Sequence, residues 1–253
     1  MSDVPRLDSS ELVVTGSVAV LTLGGDKVHS LGKEALEEIA ASVTFCEQDP
    51  SVTALVLTGD GEIFSAGLNV NEVLADSADS VLDAFCAAVL RVFECPLPTV
   101  AAVNGAAIAG GCLLACACDR RLVADEARIG VTELKVGVAF PVLTIELLRY
   151  VCGARAEEVI FGAGLLGAEE ACAVGLAHRH LPRTELRSAA IAAAEELASL
   201  DAPAYALAKA TVRREMLASA HDERARSLDR LVRDHWQDEA TRANLGRLVA
   251  PKR

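Results

Sequence analysis

The spacing of apolar residues changes along the chain, and with it the element that each segment predicts. Residues 12–15 and 18–23 are β-rich runs on either side of Gly16-Ser17, which predicts a hairpin. In 31–46, Leu36, Ile39, Ala40 and Val43 share one face at helical spacing. Residues 53–58 are almost wholly apolar and run into Gly59-Asp60-Gly61, the pattern of a strand buried on both faces. A helix is predicted over 81–93, stopped by Pro96 and Pro98, and a second buried strand over 98–103, ending at Asn104-Gly105. A helix entered through glycines (110–117) and short strands at 119–124 and 127–129 follow. Beyond Pro141 the pattern is mostly helical, over 143–151, 154–161, 168–173, 185–199, 202–218 and 223–243.

Strands that alternate with helices call for parallel pairing with crossovers. The expected fold class is α/β, with a core over 1–195 and a helical region over 196–253 belonging to the same domain. Asp, Glu and Arg are mixed through that second half, which marks a solvated face or a partner surface. Abundant Ala favours closely packed helices over a β-sandwich. No low-complexity linker or long-period repeat divides the chain.

Charge and composition narrow the partners. With 24 Lys and Arg against 36 Asp and Glu, the net charge is −12. That argues against a general nucleic-acid binder or a basic membrane-surface protein, while leaving room for an anionic ligand at a local positive site. Aromatic residues are too few for a base-stacking platform. The eight cysteines form no C-x-x-C pair and sit among apolar residues, as reduced, buried thiols do. Histidine is scarce, and no metal site is expected. Residues 1–11 are polar, unlike a secretory signal, and no run of about 18 apolar residues would span a membrane. A cytoplasmic location is the expectation.

Three segments could carry chemistry. Phe64-Ser65-Ala66-Gly67-Leu68-Asn69 and Asn104-Gly105-Ala106-Ala107-Ile108-Ala109-Gly110-Gly111-Cys112 each follow a buried strand. Small residues there let backbone approach a ligand, and a following helix offers free N–H groups. One N–H from each loop would make an oxyanion hole; glycines serving only tight turns are the plainer alternative. Neither loop has the spacing of a nucleotide-phosphate loop. In the third segment, Ile129-Gly130-Val131-Thr132-Glu133-Leu134, the acid stands between apolar residues. It is either a helix cap beside Thr132 or, if buried, a base with a raised pKa. Ser65 lacks the setting of a nucleophile elbow. His178, His180 and His235 read as surface or packing residues, and Asp119 as a candidate structural acceptor.

Taken together, these segments resemble the enoyl-CoA hydratase/isomerase (crotonase) family. The likeness covers nearly the whole chain, from Val28-His29-Ser30-Leu31 through the two loops and Cys118-Asp119 to Glu133. It implies a spiral of ββα turns with a C-terminal helical region that trimerises, a homotrimer or dimer of trimers. It implies an acyl-CoA substrate, coenzyme A being part of the substrate and no separate cofactor or metal being needed. The oxyanion donors match the N–H groups of Leu68 and Gly110. Ala66, Gly67, Asn69, Val70, Gly111 and Leu113 match substrate-binding positions. The hydratases of the family carry two glutamates. The second matches Glu133, but at the first this chain has Leu113, and Asn69 replaces a usual acid. The pattern, with Gly137 and Pro141, is similar to the mitochondrial-type Δ3,Δ2-enoyl-CoA isomerases. The resemblance therefore implies isomerisation of 3-enoyl-CoA to trans-2-enoyl-CoA, as in fatty-acid β-oxidation, with Glu133 as acid/base. The alternatives are an enoyl-CoA hydratase or other crotonase-type enzyme, and a non-catalytic acyl-CoA-binding paralogue.

Overall fold

The computed structural model describes residues 5–75 and 78–250. The first four residues of the polar N-terminal segment and the last three of the chain therefore lie outside the described residues. β1 (Glu11–Thr15) and β2 (Val18–Leu23) form the expected antiparallel hairpin. Then the chain repeats a two-strand step three times: β3 (Ala54–Gly59) and β4 (Ile63–Ser65), β5 (Thr99–Val103) and β6 (Ala106–Ile108), β7 (Arg120–Ala124) and β8 (Ile129–Gly130). The first strand of each step joins a large sheet and the second a small one. With β9 (Arg179–Leu181) the large sheet runs β1-β2-β3-β5-β7-β9, and the small sheet β4-β6-β8. Every strand pair after the hairpin is parallel. This is the predicted ββα spiral.

The pattern explains why the long strands form where they do. All residues of β3 and β5 are buried, as continuous apolar runs demand when helices cover both faces. Asn104 stitches one step to the next. Its side chain accepts from Gly59 N–H (2.9 Å) and donates to the carbonyls of Gly61 (3.0 Å) and Ile63 (3.1 Å). The Asn-Gly signal that ended a predicted strand is thus a corner of the spiral.

The helices are α1 (Lys33–Gln48), α2 (Val70–Ala75), α3 (Ala78–Glu94), α4 (Gly110–Cys116), α5 (Val142–Cys152), α6 (Ala156–Gly162), α7 (Ala168–Ala173), α8 (Arg183–Ala198), α9 (Ala202–His221), α10 (Glu223–Gln237) and α11 (Glu239–Val249). Among the described residues, none is long and apolar enough to cross a membrane. The pattern missed β4, β6 and α2, which are three to six residues long. Elements this short show less than two full periods. The single helix expected over 223–243 is two. Asp238 breaks it, capping α11 with a side-chain bond to Ala240 N–H (3.2 Å).

α8 packs on the large sheet against β3, β5 and β7, and α9 lies against α5. Asp119 ties α9 to the sheet. Its carboxylate accepts from Thr99 N–H (2.8 Å), the Tyr205 hydroxyl (2.9 Å), Lys209 Nζ (2.8 Å) and Arg213 Nη2 (2.6 Å). The Arg213 guanidinium also covers the Phe93 ring at 4.0 Å. Two apolar clusters result. The main core surrounds the sheets. A smaller one joins Val73, Ala78, Val81, Leu82, Val138, Trp236 and Leu245. α10 and α11 lie over the core and supply part of that second cluster.

Asp119→Ala leaves Lys209 and Arg213 buried without their counter-charge. Unfolding free energy should fall by about 3–5 kcal/mol, read as a lower urea midpoint; a change within about 0.5 kcal/mol, as at an ordinary surface position, would show that the cluster does not anchor α9.

Candidate active site

The two loops singled out by their small residues end β4 and β6, adjacent parallel strands of the small sheet. The turn after β4 depends on Gly67, whose φ of +92° suits glycine. A Cβ there would sit 2.9 Å from the Ile108 carbonyl oxygen and 3.0 Å from the Gly110 nitrogen, so the two loops touch. Leu31 pairs with Leu68 as a parallel bridge. Leu31 N–H donates to the Gly67 carbonyl (2.8 Å), and Asn69 N–H to the Leu31 carbonyl (3.1 Å). Both bonds leave one edge of the segment, so the Leu68 N–H between them points from the other. In the second loop Ala109 takes φ 52°, ψ −120°, an unfavourable backbone for a residue with a Cβ. That turn starts α4 at Gly110, whose N–H belongs to the helix's first, unpaired set.

Leu68 and Gly110 both line a cavity of about 250 Å³. Its walls are largely apolar: Ala66, Val70, Leu82, Phe85, Ile108, Leu113, Val136, Val138, Pro141, Trp236, Leu245 and Leu248 among them. Among the described residues, Glu133 is the only ionisable side chain on that wall and Thr132 supplies the only hydroxyl. Glu133 begins a single 3-10 turn, Glu133–Val136, directly after β8. The Thr132 side chain makes no capping bond there, so the cap reading of the pair fails. Glu133 Oε2 is buried with no hydrogen-bond partner. Burial pushes its carboxyl up from the ordinary 4.5 to about 7, against hydrogen bonds from its own N–H and that of Thr132 that lower it.

The sequence-predicted residues divide cleanly. Ala66, Leu68, Val70, Gly110, Leu113 and Glu133 meet at the cavity. Gly67, Asn69 and Gly111 are not on its wall. Gly67 makes the turn. Asn69 faces α2 instead, accepting from the N–H groups of Asn71 (3.1 Å) and Glu72 (3.3 Å) and donating to Glu72 Oε1 (3.2 Å). Gly111 packs beneath the loop, where a Cβ would overlap the Ser65 carbonyl. Ser65 is structural: its hydroxyl donates to the His29 carbonyl (2.7 Å) and accepts from Gly67 N–H (3.2 Å). The histidines stay off the cavity wall. His178 Nδ1 accepts from Arg121 N–H (3.0 Å), and burial pushes its pKa down to about 4. Among the described residues, no group of three or more His, Cys, Asp or Glu is placed to hold a metal ion.

Sequence reasoning missed the opposite wall. Trp236 of α10 and Leu245 and Leu248 of α11 close it. Trp236 donates from Nε1 to the Ala139 carbonyl (2.8 Å), and His235 Nε2 lies 2.9 Å from the Gly137 carbonyl. These helices thus hold the segment that follows Glu133. The chain's single Trp was a signal, but nothing local says which surface it covers.

The ββα spiral with paired loops above a buried carboxylate is the crotonase-like architecture. Residues 14–246 match the family model described as "Enoyl-CoA hydratase/isomerase", and the chain belongs to that family. The human "Enoyl-CoA delta isomerase 1, mitochondrial" is 34% identical over 204 residues, 78% of this chain and 68% of that protein. The "Short-chain-enoyl-CoA hydratase" of Clostridium acetobutylicum is 32% identical over 220 residues, 83% of each chain. The crystal structure of human mitochondrial delta3-delta2-enoyl-CoA isomerase aligns with a TM-score of 0.89 at 27% identity, over 96% of this chain and 97% of that one.

A carboxyl whose folded pKa is raised stabilises the fold fully below about 4.5, and that contribution is lost as pH rises through about 7. Glu133→Gln removes the dependence. Relative to wild type, the variant should gain on the order of 1–3 kcal/mol between pH 4.5 and pH 8, measured by denaturant unfolding at both pH values. A pH-independent difference would mean that Glu133 is well solvated.

Proposed function

We propose that this chain is an enoyl-CoA isomerase, converting 3-enoyl-CoA to trans-2-enoyl-CoA. The observation that carries the reading is a single carboxylate, Glu133, in a cavity where Leu113 stands and, among the described residues, no second acid lines the wall. Addition of water needs a positioned water, usually held by two carboxylates, and an ordered water needs two or more polar partners. Moving a proton from C2 to C4 needs one base that becomes an acid.

In this reading the thioester oxygen sits on the N–H groups of Leu68 and Gly110. Glu133, ionised, takes a proton from C2 of the 3-enoyl group. The electron pair spreads into a dienolate from oxygen to C4, and the two N–H groups hold the charge at oxygen. Removing one such donor typically costs about 3 kcal/mol of transition-state stabilisation. Protonated Glu133 then delivers the proton to C4, and the double bond ends between C2 and C3. A pKa of about 7 suits both halves: near neutrality the residue accepts and returns a proton with little bias. The human relative named as a delta isomerase supports this reading; the Clostridium relative named as a hydratase supports the alternative. Coenzyme A enters only as part of the substrate, and the dienolate route calls for no further cofactor or metal.

The purified protein should isomerise 3-enoyl-CoA much faster than it hydrates trans-2-enoyl-CoA. Glu133→Gln should lose about 10²–10⁴-fold in kcat, the usual worth of a general base, while acyl-CoA binding persists. Hydration at least as fast as isomerisation would establish the hydratase reading instead. Binding without either turnover would make the chain a non-catalytic paralogue.

Assembly belongs to the same proposal. α9 leaves Leu207 (70%) and Val212 exposed, and α10 leaves Leu228 and Leu231 so. Leu228, Leu231 and Ile145 line a groove of about 720 Å³ between α5 and α10. We assign this exposed apolar face to contact with further copies of this chain, as a homotrimer or a dimer of trimers. Sedimentation equilibrium at micromolar concentration should give three or six times the chain mass of 26.5 kDa; a monomer would overturn the assignment.

A further inference from the structure

One part of the cavity wall comes from a single apolar cluster. The loops that would hold a thioester belong to the main core. The facing wall is the second apolar cluster, with Leu82, Val138, Trp236 and Leu245. Trp236 and Leu245 are both buried, while Leu248 at the rim is half exposed. Trp236 is fixed to the Ala139 carbonyl (2.8 Å), and Ala139 is itself part of the cavity wall. Further bonds fix these helices in place. Arg233 Nη2 donates to Asp83 of α3 (2.5 Å), and Arg242 Nη2 to the Leu74 carbonyl of α2 (2.6 Å). The wall is therefore tethered at several points.

A cavity of about 250 Å³ holds roughly eight groups the size of a water molecule, at about 30 Å³ each. A methylene is of similar size, so the space corresponds to about eight acyl carbons, the carbonyl carbon counted among them. We propose that Trp236 and Leu245 set the acyl-length ceiling of this protein, at a medium-chain acyl group of about eight carbons. The inference rests on the acyl-CoA reading above but not on which reaction follows binding.

Each methylene that enters the cavity should tighten binding about fourfold, and one left outside should add nothing. The test is calorimetric titration of saturated butanoyl-, hexanoyl-, octanoyl-, dodecanoyl- and hexadecanoyl-CoA. For wild type, affinity should climb from butanoyl to octanoyl and stop there. In Trp236→Ala and Leu245→Ala the climb should continue to dodecanoyl, whereas Trp236→Phe, which keeps most of the bulk, should retain the wild-type ceiling. Ala139→Leu adds volume at the same wall and should cut octanoyl-CoA affinity at least tenfold while sparing butanoyl-CoA. It decides the matter even if the enlarging variants fail to fold. Affinity that keeps climbing to hexadecanoyl-CoA in wild type, or an unchanged octanoyl-CoA affinity in Ala139→Leu, overturns the ceiling and leaves acyl-CoA binding intact. No binding of any acyl-CoA would sink the acyl-CoA reading and the ceiling with it.

Discussion

The proposed chemistry asks for two backbone N–H groups, of Leu68 and Gly110, left without partners beside the same apolar cavity. Backbone donors in a folded interior are almost always paired, because an orphan costs about as much as a lost hydrogen bond. The fold meets this demand by placing both loops at the ends of adjacent parallel strands, β4 and β6. The N–H of Leu68 is turned outward by the bonds on either side of it to Leu31. That of Gly110 is freed by starting a helix. The loops close together because Gly67 has no Cβ and because Ala109 accepts a backbone that its own Cβ opposes, a strain of about 1–3 kcal/mol. A wholly buried scaffold around them, β5 and α4 especially, makes that strain tolerable.

Glu133 depends on the same arrangement from the other side. β8 pairs with β6, so the turn that follows it brings Glu133 to the cavity opened by the two loops. The second apolar cluster covers it. α11 packs on the turn that Glu133 begins. The carboxyl is desolvated, and the fold bears a cost at neutral pH for a group suited to proton transfer. Asp119 is the contrasting case. It is also a carboxylate, but Lys209 and Arg213 pair with it, and its role is to anchor α9. Neighbours, not residue type, separate the two.

Much of this was legible beforehand. The hairpin, the buried strands β3 and β5, α1 and the glycine-entered α4 all follow from period and from turn residues. Leu68, Gly110, Leu113 and Glu133 were found through the resemblance of ordered motifs, and they do meet at one cavity. Asn69 was not legible: as the residue after Leu68 it looked like part of a binding wall, yet its side chain caps α2, a helix too short to show in the pattern. Asp238 carried a cap signal that the amphipathic run through 223–243 concealed.

What the sequence determined by itself was local: which segments are strands buried on two faces, where the chain must turn on glycine, and that Glu133 has apolar neighbours. Tertiary structure alone decided which loops touch, that Trp236 and Leu245 line the cavity, and that Glu133 Oε2 is buried without a partner. The reason is physical. Periodicity records that a face will be buried, because apolar residues gain by leaving water, and that gain is non-directional. It does not record what buries the face. Trp236 and Glu133 are about a hundred residues apart in the chain, and only the packing of α10 and α11 over the core puts the Trp indole and the carboxyl on the wall of one cavity.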